Sequence, residues 1–314
     1  MARHRIFFFF VYVISVSVVG ALLAPPLYWL VEHIPPFNIW AGEPFRRIAD
    51  RAFLLVALVG LYPMIKACLE KPRQELGFCA GNTSILRCIL RGAAYGAVML
   101  LVVVGLEAGL HLLTWDDRRS ALDLTQSLLS AMATGLIVSL IEETFFRGIC
   151  FGILKRVSSS TTAVVATAFL YSGSHFIHSQ GEPDVVLWNS GFLLIVETLK
   201  RIPEIFMLGP FLALLIAGAL LARIREKTGH IFYNIGIHAA WIVVIKVTRR
   251  TTHFERESSM SWLATADDHV KGYLAFACLL VAWLGTEIYW RCQRAEVAAI
   301  AVESTPALTE EIPT

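Results

Sequence analysis

The residues best able to do chemistry lie in one apolar stretch, 139–148, which reads Ser-Leu-Ile-Glu-Glu-Thr-Phe-Phe-Arg-Gly. Ionisable side chains inside a bilayer are costly, so Glu142, Glu143 and Arg147 indicate function by default. Glu143 and Arg147 are spaced i,i+4 on a helix and can form an ion pair. Glu142 points about 100° away from Glu143 around the helix, outside that pair, as a general base should. A salt bridge between helices is the alternative explanation.

Two histidines fall within neighbouring apolar stretches. His175 lies ~21 Å from the start of its stretch, close to the ~18 Å depth of the carboxylates, with Tyr171 one turn earlier on the same face and His178 three residues later. His238 follows Asn234 by one turn in a third stretch. Carboxylates on one helix and imidazoles on two others can bind a metal or activate a water. If there is a metal, its predicted ligands are Glu142, His175 and His238, and zinc is the candidate ion.

Other acidic residues in apolar stretches favour a structural interpretation. Glu107 has His111 four residues later, and Glu287 lies near the carboxyl end of the last stretch. We interpret both as helix partners or interfacial groups, with Glu107 also a candidate for lining a cavity.

The composition requires a membrane to hold these stretches. Hydrophobic residues make up 56% of the 314 residues and charged residues only 17%, and the mean hydropathy is +0.62. A soluble globule of this size has too few charges to cover so much apolar surface. The net charge of +2 excludes nucleic acid as a partner, because nucleic-acid binding needs clustered Lys and Arg.

The cysteine spacing predicts neither a disulfide framework nor a zinc site. There are 6 cysteines and no CxxC pair, which argues against a disulfide scaffold and a thiolate zinc cage. They are Cys68, Cys79, Cys88, Cys150, Cys278 and Cys292. Most of them lie in or beside apolar runs and are interpreted as small buried hydrophobes.

A span needs about 20 apolar residues, and the chain offers about eight. The fold class is therefore predicted to be all-α, a multi-pass transmembrane bundle. The candidate spans are 6–31 (kinked near Pro25 and Pro26), 48–68, 92–113, 126–154, 161–178, 205–223, 231–247 and 274–290.

The flanking segments predict how the chain is arranged. The first span continues past the length of a signal peptide and is interpreted as a retained signal anchor. Residues 185–200 are amphipathic near their end and are predicted to be interfacial or re-entrant. A modest Lys/Arg excess on one side predicts that both termini are cytoplasmic. Residues 295–314 predict a disordered tail.

Three motifs resemble those of the CPBP family, the CAAX proteases and bacteriocin-processing enzymes also called Abi, and in particular type II CAAX prenyl endopeptidases. Glu142 to Arg147 matches its EExxxR signature, and Tyr171 to His175 resembles its FxxxH motif. The run from Arg225 through His238 to Trp241 resembles the third motif region, HxxxN or HxxxD. Glu75-Leu-Gly-Phe78 resembles the lead-in to these motifs.

The resemblance implies an intramembrane endopeptidase that cuts a peptide or protein in or at the cell membrane. In such an enzyme Glu142 and His175 would activate a water, Glu143 and Arg147 would fix and polarise that pair, and His238 would help to stabilise the oxyanion. The chain lacks HExxH, so the choice between a zinc-dependent and a metal-free glutamate mechanism stays open. No other cofactor is expected.

Two departures from the family pattern affect the site. Tyr171 replaces a phenylalanine and adds a hydroxyl group near His175. Ile242 stands where the family has Asn or Asp, and loss of an oxyanion donor costs ~10²–10³ in rate. Asn234 lies on the same side of His238 but ~12 Å along the axis from position 242, too far for a direct replacement.

The residues leave alternatives open. Ile242 favours a non-catalytic membrane scaffold or a peptide-immunity protein on the same fold. A transporter would show internal repeats or paired broken helices, and none is evident. A serine protease would use Ser174 with His238 but lacks the glycine usually wanted after the serine. An aspartyl mechanism fits poorly because Asp116, Asp117, Asp123 and Asp184 all lie in loops.

The chain is accordingly predicted to divide into four parts. Residues 1–125 form amino-terminal transmembrane helices and 126–247 a CAAX-protease-like catalytic core. Residues 248–294 form a carboxyl-terminal transmembrane helix, and 295–314 form the tail. The predicted partners are the lipid bilayer and a peptide or protein substrate of unknown identity.

Overall fold

The structure, a computed structural model, is a bundle of helices with one short β ribbon. It describes residues 2–35, 41–116, 118–177, 179, 181–266 and 271–303, without the side chains of 2, 3, 204, 205 and 294–303. The helices are α1 (Ala2–His33), α2 (Phe45–Cys68), α3 (Pro72–Glu75), α4 (Ile85–Gly109), α5 (Ala121–Glu143), α6 (Phe151–Val157), α7 (Ser160–Ser174), α8 (Ser190–Ile205), α9 (Leu208–Thr228), α10 (Phe232–Thr251) and α11 (Tyr273–Glu303). The predicted all-α, multi-pass bundle is confirmed.

The described part of the chain contains 6 helical segments that are long and apolar enough to cross a membrane. They are His4–His33, Phe45–Cys68, Ile85–Gly109, Ala121–Val157, Leu208–Thr228 and Tyr273–Gln293. Two further predicted spans, 161–178 and 231–247, correspond to α7 and α10. Helix α7 has 15 residues, or ~22 Å, too short for a ~30 Å core. Helix α10 carries Asn234, His238 and Lys246, which protein neighbours can accommodate and lipid cannot.

Helix α10 is the centre of the bundle because it packs against both α4 and α5. Glycines allow the backbones to approach closely, as small residues do between membrane helices. A Cβ atom on Gly96 of α4 would lie 2.6 Å from the Ile237 carbonyl oxygen, and one on Gly135 of α5 would lie 2.8 Å from that of Ala239. His238 is therefore fixed between two close backbone contacts.

The remaining helices surround this centre. Helix α9 packs against α7 and α11, and α1 packs against α2 and α8. Strands β1 (Leu113–Trp115) and β2 (Thr252–Phe254) pair antiparallel, with Thr114 opposite His253. This ribbon joins the carboxyl ends of α4 and α10, so it ties together two of the helices that enclose the interior.

Helix α5 continues without a break into a π-helical segment, Thr144–Cys150, and then into α6. The Phe151 amide donates to the Phe146 carbonyl, five residues back, instead of four as in an α-helix. The EExxxR residues span the junction, since Glu143 ends α5 and Arg147 lies inside the π segment. Such segments are frequent at functional sites.

Four charged residues form what we call the edge cluster, at the ends of α1, α2, α3 and α6. Arg5 lies 2.7 Å from the Glu70 carboxylate and 3.4 Å from that of Glu75. Arg156 lies 2.6 Å from the Glu75 carboxylate. The lead-in motif around Glu75 therefore has a structural role in joining helix ends.

Gly77 follows Glu75 in the loop after α2 and contacts α9. Its φ of +82 lies in the left-handed region, and a Cβ there would lie 2.7 Å from Cζ of Arg225, so the position requires glycine. Arg225 donates to the Glu75 carbonyl at 2.9 Å. The loop after α2 is thus fixed to α9.

Several sequence expectations concern the ends of elements. Helix α1 continues through Pro25 and Pro26 to His33. Helix α11 continues to Glu303, into the segment predicted to be a tail, and 304–314 lie outside the described residues, as does His178. All the cysteines are free, in line with the absence of a disulfide framework, although Cys79 and Cys292 are exposed.

Candidate active site

Glu143 is the most fully bonded group in the site. Its Oε1 accepts a bond from Arg147 at 2.9 Å and another from Nδ1 of His238 at 2.8 Å. Its Oε2 accepts from the side-chain amide of Asn234 at 3.3 Å. Glu143, Arg147 and Asn234 are all 0% exposed. The predicted Glu143–Arg147 ion pair is therefore present, and we call these three residues with His238 the site cluster.

Arg147 is held on its other sides as well. Its guanidinium donates to the Gly218 carbonyl of α9 at 3.4 Å. Its Cζ lies 4.4 Å from the centre of the Tyr171 ring, within cation–π range. The arginine thereby connects α5, α7 and α9.

These bonds fix the orientation of His238. Because the Glu143 carboxylate accepts the bond at Nδ1, that nitrogen carries the proton and Nε2 faces the other way. Nε2 lies 3.8 Å from Oε2 of Glu142, beyond hydrogen-bond distance. One imidazole thus lies between the two adjacent glutamates.

His175 lies just past the last turn of α7, where it is the residue that caps the helix. Its Nδ1 donates to the Tyr171 carbonyl at 2.8 Å, so Nε2 is the nitrogen available for chemistry. The rings of Tyr171 and His175 meet edge to face with centres 4.6 Å apart. Tyr171 therefore lies between His175 and Arg147.

Glu142, His175 and His238 all line one cavity of about 330 Å³. Glu142 Oε2 is buried and has no hydrogen-bond partner among the described residues. Tyr171, Trp241 and Ile242 also line this cavity. The adjacent glutamates thus differ in kind: Glu143 is saturated with donors, and Glu142 has an oxygen available to a water or a substrate.

The lining of the cavity also includes three cationic side chains. They are Lys246, Arg249 and Lys271, and the first two continue the face of α10 that carries His238 and Ile242. From His238 to Arg249 the helix rises ~16 Å. None of the three was predicted from the sequence as a site residue. The i, i+4, i+8, i+11 spacing that starts at His238 would have indicated Lys246 and Arg249, which lie on α10.

Asn234 does not replace the amide that the motif has at position 242. It donates to Glu143 and, at 2.8 Å, to the Leu221 carbonyl, and it is not among the residues that line the cavity. Ile242 does line it. The expected departure is therefore real, and Asn234 is a positioning residue.

The interpretations of the two other acidic residues can also be compared with the structure. Glu287 of α11 forms an ion pair with Arg223 of α9, with one oxygen 2.7 Å from a guanidinium nitrogen, so the helix-partner interpretation is confirmed. Glu107 is fully buried in α4 and is not among the residues lining the active-site cavity.

The donors available to a metal are Glu142 Oε2 and Nε2 of His175 and His238. Two ligand atoms on a tetrahedral zinc, each ~2.0–2.1 Å from it, lie ~3.3 Å apart, whereas Oε2 of Glu142 and Nε2 of His238 are 3.8 Å apart. Among the described residues no group of three or more His, Cys, Asp and Glu is placed to hold a metal ion. The side chains in this arrangement do not fit the ion, and we derive no step through it.

Comparison with known families identifies the same region of the chain. The family model of type II CAAX prenyl endopeptidase Rce1-like proteins matches residues 124–244. This Rce1-like region runs from the start of α5 into α10 and contains Glu142, Glu143, Arg147, His175 and His238. The match confirms the resemblance seen in the motifs and supports a CAAX-type intramembrane protease fold. No curated protein and no solved structure matches the chain.

Proposed function

We propose that this protein is an intramembrane endopeptidase that uses Glu142 and His175 to activate a water. The observation that carries the proposal is the contrast between the two adjacent glutamates. Glu143 is fully bonded, while Glu142 has a buried, unpartnered oxygen in a cavity that His175 and His238 also line. A general base needs this arrangement: close to the substrate and not already bonded.

In the proposed reaction Glu142 takes a proton from the water while the water oxygen attacks the scissile carbonyl carbon. His175, oriented by its bond to the Tyr171 carbonyl, holds the water through Nε2. The carbonyl oxygen gains negative charge, and His238 in its imidazolium form, with hydrogen on both Nδ1 and Nε2, donates to it from Nε2. The C–N bond then breaks, and the proton on Glu142 passes to the leaving amine.

The site cluster acts by positioning. Arg147 and Asn234 hold Glu143, and Glu143 holds His238 through its Nδ1. With its orientation fixed in this way, His238 faces Glu142 and the cavity. The buried, saturated cluster keeps the reacting groups in place without itself contacting the substrate.

The substrate we propose is a peptide or protein segment in or at the membrane. The Rce1-like match supports a peptide substrate, and the enclosing helices place the cavity within a membrane protein. We further propose the cell membrane as the location and cytoplasmic termini, on the Lys/Arg distribution between loops.

A non-catalytic scaffold or peptide-immunity protein is the second candidate. Ile242 favours it, because an apolar side chain lines the cavity where the motif has an amide. On that hypothesis the loss of Glu142 leaves the biological role intact.

The deciding experiment is proteolysis in reconstituted liposomes, with mass spectrometry of a peptide library. Glu142→Gln keeps the size of the side chain and removes the base, so we expect kcat to fall at least ~10²-fold. Glu197→Gln is the matched control, since Glu197 lies on the surface of α8 and its side chain is 40% exposed. A chelator arm tests for a metal. Wild-type protein that is folded and cleaves nothing would contradict the proposal and favour the scaffold.

A further inference from the structure

Position 242 of the cavity lining lacks a hydrogen-bond donor, because it is occupied by Ile242. A peptidase that forms a tetrahedral intermediate needs hydrogen-bond donors aimed at the developing oxyanion. Ile242 has none to offer, and Asn234 is committed to Glu143 and the Leu221 carbonyl. Some other donor must therefore border the cavity if the site is an efficient catalyst.

Trp241 has the properties of that donor. It lines the same cavity and is 6% exposed. Its Nε1 is buried and has no hydrogen-bond partner among the described residues. An indole N–H can only donate, and a buried donor without a partner is uncommon enough in native structures to need an explanation. An acceptor supplied by the substrate explains it.

Helical geometry places Trp241 beside the reacting groups. It follows His238 by three residues, so the two side chains lie on neighbouring parts of one helix face about 60° apart. The ring centres are 6.4 Å apart. Position 242 lies about 40° from His238 on the opposite side. Both positions line the same cavity, so a donor at either one borders it.

We propose that the Nε1–H of Trp241 donates to the oxyanion and does the work of the amide absent at position 242. This inference rests on the proposed peptidase function. As the water attacks, the carbonyl π electrons move to oxygen, and the indole N–H and the Nε2–H of His238 in its imidazolium form donate to that oxygen until the C–N bond breaks. No proton leaves the indole.

The other donors that line the cavity are placed for different tasks. Lys246 and Arg249 lie ~12 Å and ~16 Å along α10 from His238. Tyr171 and Lys271 are the rivals that also line the cavity, and the Tyr171 ring contacts both His175 and His238. The test therefore includes Tyr171→Phe and Lys271→Met as competing explanations.

The experiment measures kcat and KM of the full-length protein in liposomes with a peptide that wild type cleaves. Trp241→Phe removes the N–H, and we expect kcat to fall ~10²–10³-fold with KM nearly unchanged. Adding Ile242→Asn to that variant supplies an amide donor and should recover at least ~10-fold of kcat. Benzothienylalanine at position 241 keeps the bicyclic shape and replaces N–H by sulfur, so it should lose kcat without loss of folding.

Trp283→Phe is the matched control. Nε1 of Trp283 is also buried and unpartnered among the described residues, but Trp283 lies on α11 and is not among the residues lining the active-site cavity. Its substitution should leave kcat unchanged. An effect as large as that of Trp241→Phe would mean that a lost indole N–H acts through packing, and it would overturn the inference.

The outcomes separate the two proposals. If wild type is folded and inactive, the proposed function fails and the inference fails with it. If wild type is active and both Trp241→Phe and the benzothienylalanine variant match it, only the inference fails. A loss of kcat in Tyr171→Phe or Lys271→Met without one in Trp241→Phe would likewise assign the oxyanion donor to the residue that was replaced.

Discussion

The chain uses arginine–glutamate pairs in two places, and the two differ in their access to water. In the site cluster the side chains of Arg147 and Glu143 are each 0% exposed. In the edge cluster the outer side chains, Arg156 and Glu70, are 44% and 67% exposed, while the inner ones, Arg5 and Glu75, are 8% and 9% exposed. Both clusters connect helices, but only the first is sealed inside the bundle.

The difference decides what each cluster can contribute. A buried ion pair has lost its hydration, so each member depends entirely on the other and on nearby donors. A partly exposed pair can exchange its partner for water and contributes little. The site cluster therefore holds its side chains in fixed positions, and we expect substitutions there to be costly. The edge cluster joins helix ends, and we expect substitutions of its exposed members to cost little.

Removing Arg147 tests this contrast most strongly. Arg147→Met leaves the Glu143 charge buried without its cationic partner, and we expect a loss of ~3–5 kcal/mol in the free energy of unfolding together with loss of activity. Thermal unfolding in detergent and the liposome assay measure the two effects. Arg156→Met is the matched change in the edge cluster and should cost less than ~1 kcal/mol. Equal losses in the two variants would remove the distinction between the clusters.

The backbone contacts of α10 provide the next test. Gly96→Ala places a Cβ 2.6 Å from the Ile237 carbonyl oxygen and must push α10 away from α4. We expect ~1–3 kcal/mol of destabilisation and a fall in kcat, because His238 moves with its helix. Gly105→Ala is the control on the same helix, since a Cβ there meets nothing within 4 Å. If the two variants unfold at the same temperature, the close approach does not hold the site.

The smallest expected effect is the pH dependence of the stability that the edge cluster contributes through Glu75. Burial raises the pKa of Glu75, but backbone N–H bonds from Lys71 and Glu70 and the charges of Arg156 and Arg5 outweigh it, so the net pKa is lowered. Because its pKa is lower in the folded protein than in the unfolded chain, ionised Glu75 stabilises the folded state at pH values above its unfolded pKa of ~4.3. This stabilisation is lost as the pH falls through the pKa that Glu75 has in the folded protein.

Unfolding temperatures of wild type and Glu75→Gln between pH 7 and pH 3 measure this effect. The wild type should have the larger value at pH 7, and the advantage should shrink below pH ~4.3. An advantage that stays constant over the range would show that the charge of Glu75 contributes nothing.

Much of the fold and part of the site followed from the sequence for simple reasons. Helical spacing alone predicted that Glu143 pairs with Arg147 and that Glu142 stands apart, because i,i+4 neighbours share a helix face. Long apolar runs predicted the helices that meet lipid. The same logic predicted spans at α7 and α10, and both are helices. Helix α7 has only 15 residues, and neither helix is among the described segments that are long and apolar enough to cross a membrane.

The rest depends on contacts between distant parts of the chain. The bond from His238 to Glu143 joins residues on α10 and α5, and no spacing rule gives the ring orientation. Asn234 lies on the same side of α10 as His238, yet its partner is Glu143, which only the packing of α5 and α10 reveals. The roles of Glu142, His175 and His238 in a reaction stay predictions until the assays are done.

The π-helical segment 144–150 makes the site sensitive to the number of residues as well as to their identity. The widened turn of a π segment takes up one residue more than an α-helical turn, so deletion of one residue here would restore regular winding and leave α6 in nearly the same orientation. A deletion between Glu143 and Arg147 would nevertheless shorten their spacing from four residues to three, and each residue of an α-helix turns by 100°, so the guanidinium would no longer face the carboxylate. Insertions and deletions in this short stretch should accordingly be far rarer among functional variants than substitutions, and an alignment that scores residue types alone would overlook the constraint.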